Sequence, residues 1–258
     1  MPLSKNKIKL IRSLELKKKR REENLFLAEG PKLVGDLMGH FHCAFLTATA
    51  SWLDEHPRER QMADEWCESS DDDIARASLL RTPKDVIALF RLPEPQPANT
   101  SYIHDHLCLA LDGVQDPGNM GTILRVADWF GIEHIFCSPD TADAFAPKTV
   151  QATMGALARV RVHYTPLPQL IQSLPPDTPV YATLLDGENI YRQQDTLQQR
   201  GLIIMGNEGN GISEEVRRLI TTRLLIPNYP PERATSESLN VAVATAIVCS
   251  EFRRQRFL

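Results

Sequence analysis

Short apolar runs bounded by turn residues recur along the chain and alternate with segments of helical periodicity. In the first third, the predicted strands are "NLFLAEG", "HCAFLTA" and "DVIALFRL", and the predicted helices are "SKNKIKLIRSLELKKKRR" and "PKLVGDLM". In the remainder, the predicted strands are "LCLALDGV", "HIFCS", "VRVHY", "VYATLL", "GLIIMG" and "RLLIP". Helical patterns lie between them at 119–130, 147–157, 167–174 and 213–220, and "SLNVAVATAIVCSEFRRQR" closes the chain as a long helix. This alternation indicates an α/β fold with a mostly parallel sheet that helices cover on both faces.

A proline-rich segment separates the two groups of elements. It reads "RLPEPQPANTSYIHD", residues 91–105, and places three prolines among polar residues, which is the composition of a linker. The chain has 258 residues, 42% of them apolar, which is enough for two hydrophobic cores. We therefore predict a small α/β domain at 1–92, a linker at 93–105 and a larger domain at 106–258.

The charge is unevenly distributed along the chain. Residues 1–21 carry nine Lys and Arg against one acid, Glu15, so they sum to +8, and the net charge of −4 leaves −12 for the rest. A positive block on an acidic body predicts a local phosphate-binding face, and a solvated helix is the alternative interpretation. The block contains Lys17, Lys18 and Lys19.

Several classes of protein are disfavoured. No apolar stretch is long enough to span a membrane or to act as a secretory signal, so we expect a cytoplasmic protein without a membrane partner. Five scattered cysteines with no Cys-x-x-Cys pair predict reduced core thiols and no metal site. The phosphate-binding motif G-x-x-x-x-G-K-[ST] is absent, and so is G-x-G-x-x-G, which makes a nicotinamide oxidoreductase a weak alternative.

Ligands of parallel sheets bind where strands end in loops, and three such loops are unusual. The first, "DPGNMG", leads into a helix that Asn119 is predicted to cap. In that helix Arg125 lies off the apolar stripe, and its simpler interpretation is a surface arginine paired with Asp128.

The second and third loops follow later strands. "GNEGNG" holds three glycines around Glu208, which suggests backbone lying close to a ligand, with an ordinary glycine turn as the alternative; Ser213 can cap the following helix. The third runs from Ile226 to a helix at which Ser238 and Asn240 are possible caps. That helix is apolar with small residues all round, so it should be covered by the fold or by a second copy.

These three loops carry a resemblance to a known family. "N-x-G-x-I-x-R-x-A-x-x-F-G" from Asn119, "G-N-E-G-x-G" from Gly206 and "I-P…S-L-N-V-x-V-A" from Ile226 resemble the three motifs of the SpoU (TrmH-like) RNA ribose 2′-O-methyltransferases of the SPOUT superfamily. "SPDTADAFAPKTVQATMGALARV" is similar to the family's segment between the first two motifs. The resemblance spans residues 107–254, and the amino-terminal domain resembles the RNA-binding domain that many members carry.

The resemblance implies an α/β sheet with a deep trefoil knot that binds S-adenosylmethionine, in a homodimer that acts on transfer or ribosomal RNA. It implies that Arg125 is the catalytic arginine that helps to deprotonate the ribose 2′-hydroxyl. Four polar residues match the family's supporting set, namely Asn119, Glu208, Ser238 and Asn240. Four more are implied as cofactor contacts, made largely through backbone, namely Gly206, Ile226, Leu239 and Thr183. No metal is required, because orientation and electrostatics suffice for this methyl transfer.

The third motif departs from the family pattern. Eleven positions separate Pro227 from Ser238 where seven are usual, the methionine and glycine of the motif are missing, and Ala242 stands where a serine is common. The sequence therefore predicts an adenosylmethionine-dependent RNA 2′-O-methyltransferase, with a non-catalytic RNA-binding protein on the same fold as the alternative.

Overall fold

The computed structural model describes residues 3–94, 100–193, 197–230 and 238–254. The chain divides into two compact units. The first comprises Met1–Glu94 and Asp143–Ala158, and the second comprises Pro95–Ala142 and Arg159–Leu258.

Ten strands form two sheets within the described residues. They are β1 (Leu25–Glu29), β2 (Cys43–Ala48), β3 (Trp66–Glu68), β4 (Val86–Arg91), β5 (Leu107–Asp112), β6 (His134–Cys137), β7 (Arg161–Tyr164), β8 (Val180–Asn189), β9 (Gly201–Gly206) and β10 (Thr222–Leu225). Every strand predicted from the apolar runs is present, and β3 is the only one of the ten that we did not predict. It has three residues and no buried position, so it gives no apolar signal.

The α-helices that the structure describes are α1 (Lys5–Ser13), α2 (Lys17–Glu23), α3 (Pro31–Leu37), α4 (Ala50–Glu55), α5 (Pro57–Gln61), α6 (Asp71–Ala77), α7 (Thr100–Asp105), α8 (Pro117–Trp129), α9 (Pro147–Thr153), α10 (Leu167–Gln172), α11 (Glu214–Arg217) and α12 (Val241–Arg254). Short 3-10 helices follow α9 at Ala156–Ala158 and β8 at Ile190–Arg192.

The first unit is built on a mixed sheet of order β1-β4-β2-β3. Strand β4 runs antiparallel to both β1 and β2, and β3 runs parallel to β2. On one side of this sheet, Ile11 and Leu14 at the end of α1 are fully buried against Leu27 and Leu89 of the strands. The α1 helix begins at Ser4, whose hydroxyl accepts a hydrogen bond from the Lys7 amide.

The segment Asp143–Ala158 belongs to the first unit although it lies between β6 and β7 of the second. Its Phe145 ring lies 5.0 Å from the ring of Phe26, in an aromatic cluster that also contains Phe41 and Phe90. The first unit is therefore not continuous in sequence, because a segment between β6 and β7 packs in its core.

The basic amino-terminal block is only partly available to a ligand. Arg20 is buried, and its guanidinium donates to the carbonyls of Leu14 and Glu15 and forms an ion pair with Asp143. Arg12 donates to two carbonyls at the end of α6. In contrast, Lys18 and Lys19 each form an ion pair with the exposed Glu22, and the described residues show no other ion pair for them. Arg12 and Arg20 thus stabilise the fold, and the lysines remain candidates for phosphate contact.

The second unit contains a six-stranded sheet of order β10-β8-β9-β5-β6-β7 in which all neighbours are parallel. The predicted parallel sheet is therefore confirmed. The strands β5 and β9 are completely or almost completely buried, as expected for a sheet covered on both faces. Residues from α10, α11 and the strands share one hydrophobic core, including Phe136, Leu170 and Val216.

Part of the predicted linker is helical. The range 93–105 includes α7, whose Ile103 is fully buried in the core of the second unit. The chain passes from the first unit to the second between Glu94 and Pro95, and residues 95–99 lie outside the described residues. The division between the two units thus falls within the proline-rich segment, and α7 begins at Thr100 inside the predicted linker.

Two general expectations can be compared with the structure. All five cysteines are free; Cys67 is half-buried and the other four are buried, which agrees with the predicted reduced thiols. Within the described ranges, no helix is both long enough and apolar enough to cross a membrane. The same ranges hold no cluster of His, Cys, Asp or Glu arranged to bind a metal ion.

Candidate active site

Three loops of the second unit contribute polar side chains to one hydrogen-bonded chain. The Asn119 amide, in the first turn of α8, donates to the Glu208 carboxylate in the loop after β9. The Asn240 amide, at the start of α12, donates to Asn119 Oδ1 across 2.9 Å. The structure therefore brings together three of the five predicted catalytic residues, which lie far apart in sequence.

The cap of α12 fixes the direction of these hydrogen bonds. Asn240 Oδ1 accepts from the backbone amides of Ala242 and Val243, at 3.0 and 3.2 Å, so its NH₂ group must face Asn119. Asn119 consequently presents its oxygen to Asn240 and its NH₂ group to Glu208. The predicted helix cap at Asn240 is correct, and the same side chain also reaches the site.

The prediction that Asn119 caps α8 is wrong. Asp116 occupies that position, since its carboxylate accepts from the Asn119 amide nitrogen at 2.8 Å, and Pro117 is the first helical residue. An Asp-Pro pair is itself a helix-start signal that was visible in the sequence. Because Asp116 satisfies the helix end, the side chain of Asn119 is left free to join Glu208 and Asn240.

Arg125 lies six residues further along α8 and its side chain is exposed. The alternative partner, Asp128, is held by Arg159 through two hydrogen bonds of 2.7 Å. Within the ranges that the structure describes, Arg125 has no hydrogen bond or ion pair. The structure thus does not show the Arg125–Asp128 pair, and the guanidinium has all its donors available.

The glycine loop after β9 is folded tightly upon itself. The backbones of Asn207 and Gly211 exchange two hydrogen bonds of 2.9 Å, and a Cβ atom at Gly206 would come within 2.5 Å of the Gly211 carbonyl carbon. Gly211 has a φ of 68°, a left-handed conformation that favours glycine. The loop's own backbone therefore explains the glycines at 206 and 211, and Glu208 lies at its exposed tip.

Two residues that we did not predict stabilise this loop. Asn207 Nδ2 donates to the Gly113 carbonyl at 2.6 Å, and Asp112 Oδ2 accepts from the Ser213 amide at 2.7 Å. Ser213 precedes α11, but its hydroxyl forms no capping hydrogen bond, so the predicted side-chain cap is wrong. Asn207 lies within the motif that begins at Gly206 and Asp112 precedes the first loop, and an Asp or Asn at the end of a buried strand was the available signal.

The predicted cofactor residues lie at the same end of the sheet. Strand β8 pairs with β10 at Ala182 and again at Glu188, so the backbone of residues 183–187 lies outside that ladder. Thr183 and Leu184 in this stretch are half-buried, and the Thr183 hydroxyl contacts the sulfur of Met205 at 3.8 Å. Ile226 is half-buried after β10, and Leu239 is 47% exposed before α12.

This set of groups fits an adenosyl ligand. Backbone groups at the ends of these strands can recognise the polar edge of a purine, and aliphatic side chains can cover its faces. Ser238, the remaining predicted site residue, is exposed, and it is the first described residue after 231–237, which lie outside the described residues. The structure records no hydrogen bond of Ser238 to another described residue.

Comparison with known proteins identifies the family. Residues 106–250 match the model of the SpoU rRNA methylase family, and residues 5–88 match that of an MRM3-like substrate-binding domain. The chain belongs to the SpoU rRNA methylase family. It is 30% identical to the 23S rRNA guanosine 2′-O-methyltransferase RlmP of Bacillus subtilis, over 96% of each chain.

Solved structures of other SpoU and TrmH proteins have the same fold. A TrmH-family protein from Porphyromonas gingivalis is 42% identical and superposes with a TM-score of 0.85, with 98% of this chain and 99% of that one covered. An rRNA methyltransferase from Sinorhizobium meliloti with bound AdoMet is 29% identical, with a TM-score of 0.83 over 98% and 97% of the two chains.

These comparisons confirm the predicted family, its SPOUT-type α/β fold and the substrate-binding domain that precedes the catalytic one. The protein is an RNA 2′-O-methyltransferase, and S-adenosylmethionine is its methyl donor. They do not favour the alternative of a non-catalytic RNA-binding protein.

Proposed function

We propose that this SpoU methylase transfers a methyl group to a ribose 2′-hydroxyl of ribosomal RNA, with Glu208 and Arg125 as the groups that contact the reacting oxygen. The observation that carries the proposal is the hydrogen-bonded chain from Asn240 through Asn119 to Glu208. Ribosomal RNA is chosen over transfer RNA because a relative that matches over 96% of this chain is named as an enzyme of 23S rRNA. With that substrate, the cytoplasm remains the predicted location.

The hydrogen bonds from Asn240 through Asn119 to Glu208 determine which atoms of these side chains remain open to the substrate. Both polar atoms of the Asn119 amide are engaged, and the Asn240 oxygen is engaged by the α12 cap. Glu208 uses one oxygen for Asn119, which leaves the other as an acceptor, and Arg125 offers donors only. Glu208 thus offers a free acceptor, and Arg125, six residues further along α8 than Asn119, is the cation that we propose to act with it.

This combination suits deprotonation of a hydroxyl. Bound S-adenosylmethionine supplies an electrophilic methyl group on a sulfonium. Glu208 accepts a hydrogen bond from the 2′-hydroxyl, orients it and takes up its proton as the oxygen is methylated, and the Arg125 guanidinium stabilises the negative charge that develops on that oxygen. An arginine is a poor base because it keeps its proton, so its contribution is electrostatic. Asn119 and Asn240 hold the carboxylate in place, and Ser238 is a further proposed contact to the ribose.

We also propose that Thr183, Gly206, Ile226 and Leu239 contact the cofactor, in a trefoil knot formed by the chain from β8 to α12. The neighbouring positions of β8, β9 and β10 in the sheet support this placement. No metal ion takes part in the proposed reaction. The basic lysines of α2 are proposed to bind RNA phosphates, in the part of the chain that matches a substrate-binding domain.

A homodimer through the second unit is proposed from the surface of α12. One face of this helix is buried through Val241, Thr245 and Val248, but Val243 on the other side is 50% exposed. Trp129, at the end of the neighbouring helix α8, is 84% exposed. Large apolar residues exposed on two adjacent helices are typical of a surface that another chain covers.

Two experiments test the proposal. Ribose methylation is mapped in ribosomal RNA from cells with and without the gene, and a site lost on deletion identifies the nucleotide. Calorimetry with S-adenosylmethionine measures binding by the purified protein. An unchanged methylation map together with no binding at millimolar cofactor would contradict the proposed activity.

A further inference from the structure

The backbone ladder between β5 and β9 ends just before the catalytic loops. Its last pair is Asp112 with Gly206. Beyond that pair the backbone ladder stops, and the loop after β5 leads to Asn119 whereas the loop after β9 leads to Glu208. The Asn207 side chain provides the next connection between them, because its NH₂ group donates to the Gly113 carbonyl at 2.6 Å.

Asn207 also shapes the loop that carries Glu208. Its Oδ1 accepts from the amides of Gly209 and Asn210 at 2.8 and 3.0 Å. These two donors fix the oxygen towards the loop and the NH₂ group towards Gly113. One side chain thus closes the turn around Glu208 and attaches that turn to the neighbouring strand.

Gly113 is held from its other side as well. It is buried, and its amide donates to the Ser138 hydroxyl at 2.8 Å. Ser138 is buried too, and its hydroxyl bonds to Asp140 and Thr141. Gly113 adopts a φ of 70°, and a Cβ atom there would lie 3.2 Å from Asp140. The Gly113 peptide is therefore a fixed point to which Asn207 attaches the Glu208 loop.

We infer that Asn207 is a positioning residue for methyl transfer, which acts by holding Glu208 in register with Asn119 through its hydrogen bond to Gly113. The inference rests on the proposed function, because it takes Glu208 as the group that orients the ribose hydroxyl. Asn207 itself does not contact the substrate in this arrangement, so its loss lowers turnover and leaves cofactor affinity unchanged.

The substitution Asn207→Asp separates the two roles of this side chain. A carboxylate keeps the acceptor for Gly209 and Asn210, but it has no donor for Gly113 at neutral pH. Asn210→Asp is the matched control, because it adds the same charge to the same loop and the side chain of Asn210 has no recorded bond within the described residues. At pH 8 we expect kcat of Asn207→Asp to fall about tenfold or more, the usual effect of losing a hydrogen bond that orients a reacting group. Asn210→Asp is expected to remain within about threefold of wild type.

The pH dependence provides the second measurement. A protonated carboxyl at position 207 regains a donor for Gly113, so the activity of Asn207→Asp relative to wild type should rise as the pH falls towards about 4, the ordinary pKa of an aspartic acid. The relative activity of Asn210→Asp should stay flat over that range. Equal kcat and equal pH profiles for the two variants would overturn the inference.

Two further variants keep the experiment decisive. If Asn207→Asp does not fold, Ser138→Ala releases the same peptide from its other side, and we expect a fall in kcat of about threefold or more with unchanged adenosylmethionine affinity. Wild-type kcat for Ser138→Ala would then count against the inference. Glu208→Gln tests the proposed function separately: full activity in that variant rejects the role of Glu208, whereas loss of activity there with a normal Asn207→Asp rejects only the role of Asn207.

Discussion

Replacing Arg125 by alanine should separate catalysis from stability. The side chain is exposed and has no hydrogen bond or ion pair with another described residue, so no polar contact between described residues is removed. Alanine is also the best helix former, and position 125 lies inside α8. We therefore expect the free energy of unfolding to change by less than about 0.5 kcal/mol.

The effect on turnover should be much larger. A guanidinium that stabilises charge developing on the ribose oxygen contributes about as much as an oxyanion-hole donor, which is roughly 10² to 10³ in kcat, or about 2.7 to 4 kcal/mol. The affinity for S-adenosylmethionine should stay within about threefold of wild type, because Arg125 is proposed to act on the ribose and not on the cofactor.

Single-turnover methylation of RNA measures the rate, and chemical denaturation measures stability. Arg218→Ala is the matched control, since Arg218 is another exposed arginine of the same unit with no recorded side-chain partner within the described ranges. It should retain near-normal turnover. If Arg125→Ala also methylates at a near-normal rate, Arg125 is an ordinary surface residue and the proposed electrostatic role is wrong.

Three further predictions concern the rest of the molecule. Burial and the neighbouring His163 lower the pKa of His134 to about 4. The unfolded chain therefore binds this proton at a higher pH than the folded one, so the free energy of unfolding falls by up to about 1.4 kcal/mol per pH unit as pH drops from 6.5 towards 4. Urea titrations at several pH values should show that the free energy of unfolding depends less on pH in His134→Gln than in wild type. Val243→Asp should convert the proposed dimer into a folded 29 kDa monomer in sedimentation, and a wild-type monomer at micromolar concentration would contradict that proposal. Replacing Lys17, Lys18 and Lys19 by alanine should flatten the slope of log K for RNA binding against log salt by about two to three units. Arg20→Ala should instead lower the free energy of unfolding by about 2 to 4 kcal/mol, because it breaks the ion pair of the buried Arg20 with Asp143.

The elements were predictable because each strand of the large sheet is an apolar run bounded by turn residues. The first residue of a helix was less predictable. At α8, Asp116 and Asn119 are both good capping residues, and only the structure shows that Asp116 is used. The membership of Asp143–Ala158 in the first unit could not be predicted, because a local pattern shows that Phe145 is apolar but not which core it joins.

The candidate site was predictable as a set of loops but not as a network. The motifs placed Asn119, Glu208 and Asn240 at strand ends or helix starts, which follows from the chain alone. That they form one chain of hydrogen bonds depends on how β5, β9 and α12 are placed side by side. Asn207 was missed for the same reason, because its partner Gly113 lies 94 residues away in sequence.

The irregular third motif does not argue against catalysis once Asn240 is located. The additional residues lie between Pro227 and Ser238, and positions 231–237 of that stretch lie outside the described residues. Asn240 follows them, and it is fixed on one side by the α12 backbone and on the other by Asn119. A loop of unusual length can therefore precede it without displacing the motif's asparagine. The contact between Asn240 and Asn119 keeps the asparagine of the third motif within the hydrogen-bonded chain that reaches Glu208, as the proposed catalytic arrangement requires.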